Sequence, residues 1–206
     1  LYDGRSFSTR RVQAYQGGEV LMSLIASFQE PSEGLEHQEP YDIAEVTAPE
    51  ELPAVWEKYG HLADGGRASW VLNRPFDFRY VDPDILLRVD VPESTQRVWL
   101  RSRDTLDGDQ LLHHAALAFA SDYLLVEPVM RRHGIPWATP GLRAASLDHA
   151  MWFHRPFRVD DWLLYVLETP TSQGGRGLTT GRFYDRSGAL VASVAQEAMV
   201  RRPEGF

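Results

Sequence analysis

A run from Leu111 to Val126, in which twelve of sixteen residues are apolar, narrows the possible folds more than anything else in the chain. Asp107 followed by Gln110 has the spacing of a capping box, so the run reads as a helix that opens there. Its only polar members are His113, His114, Ser121 and Asp122. A helix that is apolar on nearly every side must be covered on most of them, by a large core or by a sheet bent around it. Gly134 and Pro136 then close the helical region.

The segments around this helix have strand chemistry. Four β-like stretches follow it, at Ala144–Arg155, Trp162–Thr169, Arg176–Asp185 and Ala189–Arg201, with turn signals at Pro156–Asp161, Pro170–Gly175 and Ser187-Gly188. Two shorter ones, Phe76–Val81 and Arg97–Arg103, precede it. Alternation in the last stretch puts Val194, Gln196, Ala198 and Val200 on one face, so Gln196 keeps apolar company. One long apolar helix with about six antiparallel strands predicts an α+β protein of the hotdog arrangement, a sheet curled around its helix.

Residues 5–28 predict two further antiparallel strands joined at Gly17-Gly18. They read as the tail of a second such unit, truncated here, whose own helix would precede Leu1. Between the two lies an acidic stretch: Glu30 to Asp64 holds ten acidic residues and one basic, a net of −9, against +1 for everything else. It also holds Pro31, Pro40, Pro49 and Pro53, and a short helix fits only Glu50–Tyr59. The expected division is therefore closing strands of an N-terminal hotdog at 1–30, an acidic linker at 31–72, and a complete C-terminal hotdog at 73–206.

The overall charge of −8 argues against partners that present a phosphate backbone, which need a clustered basic surface. The basic residues are twenty arginines and Lys58. With no cysteine, disulfides, thiolate metal sites and a cysteine nucleophile are excluded. No apolar run approaches the ~18 residues that span a bilayer, and no leader-like segment opens the chain, so no membrane role is expected and a cytoplasmic address is the default.

Several chemistries fail on spacing. The G-x-S-x-G elbow of a serine hydrolase is missing, as are phosphate-binding loops at a strand-to-helix turn. Gly174-Gly175-Arg176-Gly177 joins two strand-like stretches and reads as a β-turn. His113 and His114 are adjacent, and His149 and His154 are five apart on a strand. Neither pair has the spacing of a zinc site, so these histidines read as structural or surface groups and no metal is expected. Asp122 is different, because it lies on the helix face shared with Ala115, Ala118 and Phe119. It is either a partner-satisfied or helix-end carboxylate, or a general base that orients water.

Long ordered motifs carry a resemblance. The segment Ser146-Leu147-Asp148-His149-Ala150-Met151-Trp152-Phe153-His154-Arg155-Pro156-Phe157 resembles the TesB-like acyl-CoA thioesterase II family, as do Gly174-Gly175-Arg176-Gly177-Leu178 and Val191-Ala192-Ser193-Val194-Ala195-Gln196-Glu197. The opening Asp3-Gly4-Arg5-Ser6-Phe7-Ser8-Thr9-Arg10-Arg11-Val12 is similar to that family's first-domain strand. The resemblance implies two fused hotdog units, hydrolysis of acyl-CoA to free acid and CoA, and no cofactor. It further implies a water-activating set that falls on Asp122, Ser146 and Gln196, with Ser146 where the bacterial prototype has threonine. A thioester carbonyl is electrophilic enough for direct attack by a polarised water, so no covalent nucleophile is required. The alternatives are a hotdog enoyl-CoA hydratase, which needs another aspartate–histidine arrangement, and a non-catalytic acyl-CoA-binding or scaffold protein. Hotdog sheet edges usually pair with another unit, so a homo-oligomer is expected.

Overall fold

The computed structural model describes residues 2–62 and 73–202 and divides into two compact units, Leu1–His37 and Gln38–Phe206. In the first unit, β1 (Tyr2–Asp3), β2 (Phe7–Gln16) and β3 (Glu19–Gln29) form one antiparallel sheet in that order. The β2–β3 hairpin turns on Gly17 and Gly18, both at positive φ (58° and 88°), the backbone that a two-residue hairpin with native twist demands. This is the strand pair expected from residues 5–28.

The second unit opens with Pro49–Glu51 and neighbouring single turns, a short α1 (Val55–Tyr59), then β4 (Phe76–Tyr80) and β5 (Thr95–Ser102). The principal helix α2 (Gln110–Ser121) and a second helix α3 (Glu127–Arg132) follow. Strands β6 (Arg143–Ser146), β7 (Ala150–Phe153), β8 (Leu163–Gln173), β9 (Arg176–Tyr184) and β10 (Leu190–Arg201) complete it. Sheet order is β4-β5-β8-β9-β10-β6, with β7 also on β10, and every ladder is antiparallel. The expected turn at Gly174-Gly175 joins β8 to β9, both residues at positive φ.

Alternation along the strands sorts two layers. Val98 and Leu100 of β5, Leu163, Tyr165 and Leu167 of β8, Phe183 of β9 and Val194 of β10 close on Leu117, Ala120 and Leu124 at the helix. This is the hotdog core. Their neighbours Trp99, Leu164 and Tyr184 point to the opposite face, where Val46, Tyr41, Ile43 and Leu52 cover them. Tyr41 stacks on Tyr184 at 4.4 Å, and the Trp99 indole donates to the Thr47 carbonyl at 2.9 Å. Much of the stretch read as linker therefore straps the outer face of the second unit; residues 63–72 lie outside the described part.

The helix departs from expectation in three respects. It ends at Ser121, not Val126: a stretch of turns separates it from α3, whose first turn holds Pro128, and the Leu124 carbonyl accepts from Glu127 N at 2.9 Å. Its N-cap is Asp109, whose side chain accepts from Leu112 N at 3.2 Å, while Gln110 exchanges hydrogen bonds with the backbone of Phe157. Asp107 does not cap it. Nor is it enclosed on nearly every side: His113, Leu117, Ala120 and Ser121 are buried, whereas Leu111, Leu112 and Phe119 are exposed. Among the described residues no helix is long and apolar enough to cross a membrane.

Candidate active site

Breaking the helix at Ser121 leaves Asp122 as its C-cap, with helical backbone but its side chain at an end. The carboxylate is exposed, not desolvated against an apolar face, so its energetics rest on hydrogen bonding. Beneath it Tyr165, fully buried, donates to the Ser121 carbonyl at 3.1 Å and ties the helix end to β8. Burial, with a smaller contribution from the Asp122 charge, pushes the Tyr165 phenol well above its ordinary range, so it acts as a neutral donor.

Ser146 ends β6, and the expected strand Ala144–Arg155 is interrupted just beyond it. Ser146 pairs with Ala198 and Ala150 with Ala195, so four steps on one side face three on β10. That is a β-bulge, one extra residue in the outer strand. Backbone bonds hold it: Leu147 N donates to Glu197 O at 2.9 Å, and the Asp148 carboxylate accepts from Glu197 N at 2.7 Å. The extra residue decides which side chains share a face. Three apart on a regular strand, Ser146 and His149 would point opposite ways; across the bulge both turn inward beside Gln196.

The three residues implied by the resemblance come together here. Ser146 Oγ donates to Asp122 Oδ1 at 2.7 Å, and Gln196 Nε2 donates to Ser146 Oγ at 3.0 Å. Gln196 is 2% exposed on the inner face of β10, among Val194 and Ala198 as its alternation predicted. Two residues not read as site members from the sequence complete the cluster. His149 Nδ1 lies 2.6 Å from Gln196 Oε1, and its Nε2 lies 3.0 Å from Ser121 Oγ. Ser121 Oγ donates its hydrogen to the Ala118 carbonyl at 2.8 Å.

The other histidines serve elsewhere. His113 is buried and its Nδ1 accepts from Val159 N at 3.2 Å, and His114 stacks on Phe153 at 4.1 Å. His154 meets Ser193 at 2.9 Å. What the cluster offers chemically is an exposed carboxylate that can take a proton, fixed by a hydroxyl whose own hydrogen is committed to it. Beside them stands a primary amide whose N–H groups point toward the same spot.

An antiparallel sheet folded over one principal helix is the hotdog architecture, and it places this chain among hotdog-fold proteins. More narrowly, the chain belongs to the acyl-CoA thioesterases: the family model for the acyl-CoA thioesterase C-terminal domain matches residues 43–200. Acyl-coenzyme A thioesterase 8 of Mus musculus is 35% identical over 214 residues, covering 96% of this chain and 64% of the relative. Acyl-CoA thioesterase 2 of Haemophilus influenzae is 29% identical over 208 residues, with 99% and 72% covered. Among solved structures, the acyl-CoA thioesterase II TesB2 of Mycobacterium marinum matches at TM-score 0.78 and 40% identity, over 100% of this chain and 72% of that one. A conserved protein with hot dog fold from Alicyclobacillus acidocaldarius shares the fold at TM-score 0.78 and 20% identity, covering 98% of this chain and 70% of its own. The chain thus spans just under two thirds of the mouse relative's length, at 64%.

Proposed function

We propose that the protein hydrolyses acyl-CoA thioesters to a free acid and CoA, with a water activated by Asp122 and oriented by Ser146 and Gln196. The observation that carries this is the continuous path Gln196–Ser146–Asp122, two hydrogen bonds joining three side chains from three separate elements. In this reading the water lies against the Asp122 carboxylate and is aligned by the Gln196 amide. Its oxygen attacks the thioester carbonyl carbon as Asp122 takes its proton. The tetrahedral intermediate then collapses, the carbon–sulfur bond breaks, and CoA leaves as a thiolate, a far better leaving group than an alkoxide. Ser146 serves as a bridge: its hydrogen is held by Asp122 and one lone pair by Gln196, which fixes both partners.

The family and the relatives' names support the substrate class, and the hydrogen bonds among the three side chains support their roles. The same reading takes the first unit as part of a second hotdog, and expects assembly through sheet edges such as the outer side of β4. The decisive experiment is thiol release from a series of acyl-CoA esters. Asp122→Asn, which keeps the shape but removes the base, is expected to lower kcat by about 10²–10⁴-fold, the range for loss of a general base. Ser146→Ala is expected to fall substantially, while Ser146→Thr, which keeps a hydroxyl, stays within a few-fold of the parent. Undiminished turnover by Asp122→Asn in folded protein would remove the assignment. Tight acyl-CoA binding with no thiol release by the parent would favour a non-catalytic carrier.

A further inference from the structure

The polarity of the hydrogen bonds around Gln196 can be followed outward from Asp122. An ionised carboxylate only accepts, so the single hydrogen of Ser146 goes to Asp122 Oδ1 at 2.7 Å. Ser146 Oγ must then accept from its other partner, and the Gln196 amide has to turn its Nε2 toward it, at 3.0 Å. That leaves Gln196 Oε1 facing His149 Nδ1 at 2.6 Å, so Nδ1 carries a hydrogen. The other ring nitrogen, Nε2, lies 3.0 Å from Ser121 Oγ, whose own hydrogen goes to the Ala118 carbonyl at 2.8 Å. Ser121 and Asp122 are consecutive at the end of α2, so five side chains form a ring that starts and closes on one helix terminus.

From the directed path Asp122–Ser146–Gln196–His149 we infer that His149 is a positioning residue: its Nδ1–H selects the orientation of the Gln196 amide and so keeps the N–H groups of Gln196 on the water side. A flipped amide would set its carbonyl lone pairs against those of Ser146 Oγ and its N–H groups against the His149 Nδ1–H. No other hydrogen bond to the Gln196 side chain is found among the described residues. Without His149, one of the two contacts that distinguish the ends of the amide is gone. The inference rests on the proposed roles of Asp122, Ser146 and Gln196, and it concerns orientation, since His149 itself touches neither water nor thioester.

Three variants separate orientation from mere packing. His149→Asn keeps an N–H donor where Nδ1 stood, His149→Gln reaches only toward the Nε2 position, and His149→Leu keeps bulk without a donor. With Gln196→Ala as reference, thiol release is measured as kcat and KM, and folding by thermal melting monitored with circular dichroism. His149→Leu and His149→Gln are expected to lose about 10- to 100-fold in kcat, the scale of a misplaced group in an otherwise intact site, with KM within about twofold. His149→Asn is expected to recover to within about fivefold of the parent, even if it melts lower than the leucine variant. Equal losses for all three variants, or losses that follow melting temperature, would overturn the inference, as would unchanged kcat in His149→Leu. If Gln196→Ala is itself fully active, the underlying reading of the site fails; if Gln196→Ala is inactive while His149→Leu is not, only the role of His149 does.

Discussion

Tyr165 illustrates how much one buried side chain can set at the site without entering it. Its hydroxyl is the link between β8 and the Ser121 carbonyl, and the ring stacks on Phe183 at 3.9 Å, so the end of α2 has a fixed height above the sheet. Replacing it with phenylalanine keeps the ring and strips the Ser121 carbonyl of its partner. Tyr165→Phe is expected to cost about 1–3 kcal/mol in urea-induced unfolding, the penalty for an unpaired buried polar group. At this scale the sequence was only partly readable. Alternation alone placed Gln196 on an apolar face, but Asp122, Ser146 and Gln196 came as a set only through the motifs they sit in. His149 and Ser121 were passed over as ordinary polar residues. The reason is geometric: residues three apart on a strand point to opposite faces, so nothing in the spacing of Ser146 and His149 associates them. A bulge is decided by tertiary pairing, which a single strand does not encode.

Among the elements, that bulge is the one on which the site depends. In place of an uninterrupted strand from Ala144 to Arg155 there are two short ones, β6 and β7, hinged where Asp148 accepts the Glu197 N–H. Asp148→Ala removes the acceptor and favours straightening of the outer strand. The expected outcome is a fall in kcat of about tenfold, with Asp148→Asn, which retains an oxygen acceptor, close to the parent; steady-state kinetics on both variants checks it. Apart from this division into β6 and β7, the strands of the second unit and their order of appearance were legible, since turn residues and period-two alternation mark them. The helix was legible in kind but not in extent. Apolar content carried the reading past Ser121, whereas the Ser121 carbonyl accepts from the Tyr165 hydroxyl on β8, a tertiary partner that the local sequence does not show.

For the fold of the second unit as a whole, Glu127 is the buried ionisable group with the widest reach. It accepts from Trp137 Nε1 at 2.8 Å, Gln96 Nε2 at 3.0 Å and the Tyr80 hydroxyl at 3.2 Å, joining α3, β4, β5 and the segment after α3. Burial outweighs these donors and raises its carboxyl from 4.5 to about 7. The folded state therefore holds this proton more tightly than the unfolded chain. The resulting stability is fully present below pH ~4.5 and is lost as pH rises through ~7, up to about 3 kcal/mol at 1.36 kcal/mol per pH unit. Glu127→Gln cancels that dependence: the Gln96 carbonyl oxygen, buried and without a hydrogen-bond partner among the described residues, can turn to accept from the new amide. Chemical denaturation at pH 5 and pH 8 is expected to show the parent losing stability relative to the variant. The strap of residues 38–62 was missed because its proline-rich acidic composition describes what faces solvent, while Tyr41, Ile43, Val46 and Leu52, spaced irregularly between, decide where it packs.

The exposure of Asp122 has one more consequence, for the fate of the proton it would collect. The Ser146 hydroxyl has one hydrogen, held by Asp122, and the Ser121 hydroxyl gives its own to the Ala118 carbonyl, so a proton cannot travel along these side chains without reversing those bonds. On the proposed mechanism the carboxylate hands its proton directly to bulk water across its open side. On that proposal these side chains serve as a frame rather than a wire, and resetting between turnovers needs no second acid–base group.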